Sequence, residues 1–387
     1  MLIEIRKAEF LNKGAELMLQ AVLKRTREEY PDVSFAMEAS LTAAPYIQRA
    51  RLGLLQKVSL WYCGVQWGRL AALVPAKIRR MYGVVLDKDI DVVFDTAGFN
   101  YGDQWGAGYT LELANSSKRW KKNGTKIILL PQAFGPFTSK RIRKAINIAA
   151  DQADLIFARD RISYGYLIGA VGIRESIKMA PDFTNLIEGI LPEYFDKRNN
   201  RFCIIPNYRM IDKTSAEQSQ AYLPFMIKCA QYLADQEAGP FILIHEGLND
   251  LMLAKEISSA AGGLPIIKEG DPLRIKGILG ACEGVLSSRF HGLVSALSQG
   301  VPALGTGWSH KYQMLFESYN FAEGMMNVSL SQEEIKQRLS LVIHEGSKQK
   351  IREVVEAGSR VQKQLSKQMW EEIFRKLNST TRENNKG

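Results

Sequence analysis

The chain opens with Leu2, Ile3 and Ile5 set against Glu4, Arg6 and Lys7, the period-two pattern of a strand rather than of a signal peptide. A helical pattern follows, with apolar residues returning every three to four positions, and the two patterns then take turns. They predict strands near residues 2–6, 33–38, 92–95, 126–131 and 155–158, and helices near 15–29, 108–123 and 140–152. Periodicity lapses over residues 191–200, which read as a linker. A second series predicts strands near 202–205, 241–244, 265–267, 284–286 and 303–304, separated by helices near 215–236, 250–261, 273–279 and 292–297. From 331 to 377 the chain is helical and strongly charged, and its polar end, 378–387, reads as disordered.

Strands alternating with helices argue for parallel sheets covered on both faces. A chain of 387 residues exceeds one comfortable core. The expected fold is therefore α/β, with two Rossmann-like parallel-sheet domains facing a cleft. The first covers residues 1–190 and the second 201–330, and the helical segment 331–377 is expected to pack back toward the first.

The strand near 284–286 leads into Ser287, Ser288, Arg289, Phe290 and His291, and then into an apolar helix pattern closed by Gly300 and Pro302. Arginine and histidine thus stand where a strand enters a helix N-terminus, beside free backbone N–H groups, which makes a site for an anion. The plainer alternative is a surface cation and a capping histidine. A second cationic cluster, Ser309, His310 and Lys311, follows the next strand on the same carboxyl edge, where open α/β sheets bind ligands, and this favours the anion.

These residues also resemble a known family. The run SRFHG, ALSQGVPALG and HKY, within residues 287–312, resembles the C-terminal signature of the polysaccharide pyruvyl transferases. Four further segments agree in order: Asn12 to Glu16, the Pro131–Gln132 to Gly135–Pro136 stretch, the turn from Arg159 and Asp160 to Ser163, and Pro181 with Asp182. The chain departs from the family where a run of three glycines is common, reading Asp95, Thr96, Ala97, Gly98 and Phe99 instead. The resemblance implies a GT-B-like architecture with the acceptor on the N-terminal domain and phosphoenolpyruvate, the donor, on the C-terminal one. No cofactor and no metal is expected.

Phosphoenolpyruvate bears a phosphate and a carboxylate on adjacent carbons, so its site needs several cations, ideally arginine forks. Arg289 is the first candidate, with the N–H groups of Phe290 and His291. Arg159 is the second, its alternative role being a salt bridge to Asp160. Lys311 and Arg209 are secondary. Ketal formation calls for a group that both takes and gives protons, which favours His291, with His310 in reserve. His245 lies in the run LIHEGLND with Glu246 and Asp250, and either orients ligand or caps the next helix. Asp182 and Glu16 are candidate bases toward an acceptor hydroxyl, or helix caps. Asn12 and Gly14 form either a sugar or anion contact or a plain helix start.

Composition sharpens the choice of partners. The net charge is +10, yet no nucleic-acid motif and no basic run interleaved with aromatics accompanies it, so nucleic acid is not expected. Residues 39–86 hold seven cations (Arg49, Arg51, Lys57, Arg69, Lys77, Arg79 and Arg80) and no Asp or Glu, among apolar residues that include Leu60, Trp61, Tyr62 and Trp67. Such a segment fits an anionic membrane surface, or else a basic face folded on the protein's own core. No apolar stretch reaches the roughly 20 residues of a membrane span. Cys63, Cys203, Cys229 and Cys282 have no disulfide or metal spacing. The expectation is a cytoplasmic protein, peripheral at the inner face of the membrane, whose sugar acceptor is carried on undecaprenyl diphosphate. The rivals are a nucleotide-sugar glycosyltransferase or epimerase and a non-catalytic polysaccharide-pathway protein. Against the first stands the absence of any Asp or Glu between Glu283 and Glu317, where a ribose-binding carboxylate belongs.

Overall fold

The structure, a computed structural model, describes residues 1–59, 61–62 and 65–379. It divides into two units: Met1–Leu11, Met18–Phe183 and the chain from Lys367 onward form unit 1, and Asn12–Leu17 with Thr184–Ser366 form unit 2.

Unit 1 contains β1 (Leu2–Arg6), β2 (Ser34–Glu38), β3 (Leu54–Lys57), β4 (Trp61–Tyr62), β5 (Val65–Gln66), β6 (Val84–Val85), β7 (Val92–Asp95), β8 (Lys126–Gln132), β9 (Leu155–Ala158) and β10 (Ile177–Met179). Eight of these form one parallel sheet in the order β10-β9-β8-β7-β1-β2-β3-β6, while β4 and β5 make an antiparallel hairpin. Its helices are α1 (Lys13–Glu29, whose first residues belong to unit 2), α2 (Tyr46–Arg51), α3 (Ala76–Met81), α4 (Ala107–Lys122), α5 (Lys140–Gln152) and α6 (Arg161–Val171). Unit 2 has a five-stranded parallel sheet, ordered β13-β12-β11-β14-β15, from β11 (Phe202–Ile205), β12 (Pro240–Ile244), β13 (Ile266–Lys268), β14 (Gly284–Ser287) and β15 (Ala303–Gly305). Around it lie α7 (Arg209–Asp212), α8 (Ala216–Asp235), α9 (Gly247–Ala260), α10 (Pro272–Gly280), α11 (Phe290–Leu297), α12 (His310–Ser318) and α13 (Gln332–Ile343); α14 (Glu345–Asn378) follows.

Strands covered on both faces read as continuous apolar runs. Every residue of β7, β9, β11 and β14 is buried. The charged residue that ends β7 is accommodated by partners: Asp95 accepts from Tyr101 Oη at 2.7 Å and Gln132 Nε2 at 3.2 Å, and lies 2.9 Å from Arg6 Nε. The end of α14 belongs to unit 1, where the fully buried Trp370 meets Phe94 and Phe183 edge-on at 6.1 and 6.2 Å.

The sequence pattern missed β3, β4, β5, β6 and β10. It took Lys57 for a surface cation, but Lys57 is buried, with Nζ 2.7 Å from Glu4 and 2.9 Å from Asp87. Burial alone would lower its pKa, yet these carboxylates, Glu4 foremost, raise it. Arg49 and Arg79 are buried as well, Arg49 donating to the carbonyl of Ala44 at 3.0 Å. Three of the seven cations expected at a membrane thus serve the fold. Arg51, Lys77 and Arg80 are exposed, while Leu60 and Cys63 and the side chains of Trp61, Tyr62, Trp67 and Arg69 lie outside what the structure describes. Residues 191–200 are not a loose linker. Phe195 is buried edge-on against Phe241 at 5.5 Å, and Asp196 closes the turn by accepting from the backbone N–H groups of Arg198 and Asn199. Among the described residues no helix is long and apolar enough to cross a membrane.

Candidate active site

In unit 2 the strand order reverses between β11 and β14, and ligands of open α/β sheets bind at the carboxyl ends beside such a reversal. The candidate residues of this sheet follow the carboxyl ends of four parallel strands: Arg209 after β11, His245 with Glu246 after β12, Arg289 and His291 after β14, and His310 and Lys311 after β15.

The turn from β14 into α11 is tightly anchored. Ser287 Oγ accepts from the Arg289 N–H and donates to the Arg289 carbonyl, both at 3.0 Å. The Ser288 carbonyl accepts from Asn207 Nδ2 at 2.8 Å and Tyr312 Oη at 3.1 Å, and the Ser288 hydroxyl accepts from Tyr222 Oη at 2.8 Å. Phe290 is buried edge-on to Tyr312 and to His291 at 5.7 and 5.5 Å. A turn held at so many points presents Arg289 and His291 in one orientation.

His291 has a neighbour from the far end of the sequence. A β-carbon at Gly14 would fall 2.2 Å from His291 Nδ1 and 2.6 Å from its Cγ, so only glycine lets the start of α1 lie against the imidazole. Asn12 Oδ1 caps that start by accepting from the N–H groups of Gly14 at 2.9 Å and Ala15 at 3.3 Å. Lys13 is bonded to Glu16 at 2.7 Å, which occupies the carboxylate weighed as a base. His245 is buried, and its Nδ1 has no hydrogen-bond partner among the described residues. Burial, together with the charges of Arg289, His291 and Lys13, holds its pKa well below the ordinary imidazole value, so it stays neutral at pH 7.

Arg289, expected to meet an anion directly, is engaged by carboxylates. Its Nε donates to Asp250 Oδ2 at 3.0 Å, its Nη2 to the same oxygen at 2.5 Å, and its Nη1 to Glu246. Asp250 is fully buried and also accepts from the Tyr208 N–H at 3.0 Å, whereas Glu246 is partly open to solvent. Burial works against the guanidinium charge, but the two carboxylates outweigh it and raise the Arg289 pKa. Lys311 Nζ lies over three rings, 5.1 Å from Trp308, 5.2 Å from Phe290 and 5.5 Å from Tyr312, so its charge is fixed in place by cation–π contacts. His310 opens α12 beside it. Arg209 instead faces solvent and pairs with Asp212 one turn on, at 2.6 Å.

Arg159 and Asp182 belong to unit 1. They pair with each other at 3.0 Å, both buried, and Arg159 Nη2 donates to the Gly98 carbonyl at 3.2 Å. Asp160, the alternative partner, caps α6 by accepting from the Ser163 N–H and hydroxyl. Arg159 thereby tethers the 95–99 loop, which leaves the sheet where its strand order reverses between β7 and β1. Sequence reasoning overlooked Lys13, and the Arg289 anchors Glu246 and Asp250 were read only as neighbours of His245.

This is the two-domain α/β architecture of sugar-nucleotide enzymes. The chain matches the structure of Anabaena HepE in complex with UDP-glucose at 16% identity with a TM-score of 0.58, over 98% of this chain and 100% of that one. It matches S. aureus MnaA with UDP at 13% identity and a TM-score of 0.61, over 97% of each chain. The Neisseria meningitidis UDP-GlcNAc 2-epimerase bound to UDP-GlcNAc gives 10% identity and a TM-score of 0.57, over 97% of this chain and 99% of that one. Likeness at this level concerns the fold. No curated protein matches the chain significantly by sequence. The polysaccharide pyruvyl transferase family model matches residues 12–310, from the Asn12 cap to His310, and the chain belongs to that family of transferases.

Proposed function

We propose that the protein moves the pyruvyl group of phosphoenolpyruvate onto two hydroxyls of one sugar, as a ketal, in a surface-polysaccharide intermediate carried on undecaprenyl diphosphate. The observation that carries this reading is the setting of His291: an imidazole at a helix N-terminus, against Gly14, within electrostatic reach of His245. In the reaction C3 of the enol takes a proton, and the first sugar hydroxyl oxygen bonds to C2. The C2–O bond to phosphate breaks, and the second hydroxyl oxygen closes the ketal on C2. Of the two hydroxyl protons released, one balances the proton gained by C3 and the other leaves with inorganic phosphate.

His291 is assigned the proton transfer, which an imidazole performs well near neutral pH. A neutral His245 adds no second charge beside it. Asp250 keeps Arg289 oriented through two of its donors, and the partly exposed Glu246 holds the place on Nη1 that a donor phosphate or carboxylate takes. Lys311 adds a fixed positive charge. Asp182 is assigned to an acceptor hydroxyl, with Arg159 setting where its carboxylate points.

The test is acceptor-dependent release of phosphate from phosphoenolpyruvate. His291→Gln is expected to lower turnover roughly 100-fold or more while calorimetric binding of phosphoenolpyruvate persists. Turnover above about half the wild-type rate would move the step to His310 or a carboxylate. The fold shared with UDP-sugar complexes favours the second reading, a nucleotide-sugar glycosyltransferase or epimerase. A thermal-shift comparison of phosphoenolpyruvate with UDP-glucose and UDP-GlcNAc separates the two, since specific binding raises the midpoint. Phosphoenolpyruvate binding without turnover on any acceptor would indicate the non-catalytic protein.

A further inference from the structure

Unit 1 exposes apolar surface where its sheet ends. β2, β3 and β6 run parallel and in that order to the sheet edge. Right-handed crossovers between successive strands therefore set α2 and α3 side by side on one face. The exposed side chains here are ones a water-facing surface ordinarily covers: Tyr46 and Ile47 on α2, Met81 and Tyr82 at the end of α3, and Leu70 and Leu73 on the 3-10 turn Trp67–Leu73, which leads through Val74 and Pro75 into α3. Leu73 is 82% exposed and Tyr82 75%, so these are not residues half-tucked into the core. Single exposed apolar residues need no explanation, but a cluster of this size marks an interaction site.

The charges beside the cluster select the partner. Arg51, Lys77 and Arg80 are exposed among these residues, and residues 39–86 contain no Asp or Glu. A second copy of the chain would bring like charges together, since a two-fold contact sets the same patch against itself. A surface that is both apolar and negative meets both features, as an anionic bilayer does: tyrosines at headgroup level, aliphatic side chains just below, cations at the phosphates.

We propose that α2, the 3-10 turn Trp67–Leu73 and α3 form a docking face for an anionic phospholipid membrane. The face rests on the proposed function only for its purpose, which is to bring a lipid-linked acceptor within reach; docking itself needs no turnover. The test is co-sedimentation of the full chain with phosphatidylcholine vesicles that contain or lack phosphatidylglycerol, at low and at high salt, with neither substrate present. Wild-type protein is expected to sediment with the anionic vesicles at low salt and to be released by salt. Arg51→Glu, Lys77→Glu and Arg80→Glu together should weaken that binding by on the order of 100-fold. Leu73→Ser with Met81→Ser should weaken it too, while both variants keep the wild-type thermal midpoint. Failure of the wild type to sediment, or equal sedimentation of the charge-reversed variant, would overturn the proposal. So would self-association of the wild type that Leu73→Ser with Met81→Ser abolishes, because the patch would then be a contact between copies. Since these readings need no catalysis, an inactive protein that still docks would refute only the pyruvyl-transfer reading.

Discussion

Replacing Gly14 by alanine tests whether the start of α1 positions the His291 imidazole. The new β-carbon would lie 2.2 Å from Nδ1, 2.6 Å from Cγ and 2.9 Å from Cβ of His291, where ordinary contact begins at 3.4 Å. Rotating the ring does not relieve a clash that reaches the histidine's own Cβ, so α11 or the start of α1 must shift, and the imidazole must retreat by roughly 1 Å. Overpacking of this kind costs about 1–3 kcal/mol. Alanine returns about 1 kcal/mol as the better helix former, and Gly14 has no left-handed backbone conformation to lose. Net destabilisation is therefore about 0–2 kcal/mol, small enough to leave the protein folded. Turnover should fall much further, on the order of 100-fold, because a misplacement near 1 Å is that costly at a reacting group. The assays are acceptor-dependent phosphate release and urea denaturation of Gly14→Ala, His291→Ala and the double variant. Removing the ring should largely relieve the clash, giving a coupling energy of about 1–3 kcal/mol. Turnover within about twofold of wild type, together with additive stabilities, would refute the contact and its role.

Arg289→Ala should destabilise unit 2 by about 3–5 kcal/mol in urea titration, because it strands the buried Asp250 carboxylate. Loss of phosphoenolpyruvate affinity in that variant is therefore informative only if the fold survives, and Glu246→Gln is the cleaner probe. By freeing Nη1 it should tighten phosphoenolpyruvate binding roughly tenfold, equivalent to about 1.4 kcal/mol, and weaker binding in calorimetry would exclude Glu246 as placeholder for the donor. In unit 1, burial opposes the charge of Glu112, but Arg6 and Lys7 outweigh it and take its pKa from 4.5 to about 2. A depressed carboxylate stabilises fully above its unfolded pKa and loses that contribution as pH falls through the folded one. With a side chain 30% exposed, the contribution is about 1–2 kcal/mol after screening. Glu112→Gln should flatten the acid loss of stability between about pH 4.5 and about pH 2 in denaturation curves, and an unchanged slope would refute the pairing.

Much of this protein was legible because the signals are local. Strand and helix periods located the strands that both sheets share with the pattern, among them β1, β7, β11 and β14, and the order of short motifs pointed to the family. Parallel strands bring their carboxyl-end loops to one edge, so the placement of Arg289, His291, His310 and Lys311 followed from sequence alone. β3 escaped because its Lys57 looks like a surface residue until Glu4 and Asp87 appear beside it. Likewise, nothing local told Arg49 and Arg79, which are buried, from Arg51 and Arg80, which meet solvent.

By itself, then, the order of residues determined the α/β class, the strand-to-helix turns that carry Arg289, His291, His310 and Lys311, and the family, since each depends on backbone preferences and spacings within a few residues. Only the tertiary structure decided what those turns hold. It paired Arg159 with Asp182 and left Asp160 to cap a helix, and it set two carboxylates from α9 and the residue before it on Arg289. It also laid the His291 ring on Gly14 from the opposite end of the chain. Charge pairing and close packing act through space, and the sequence distance between such partners carries no mark of their contact.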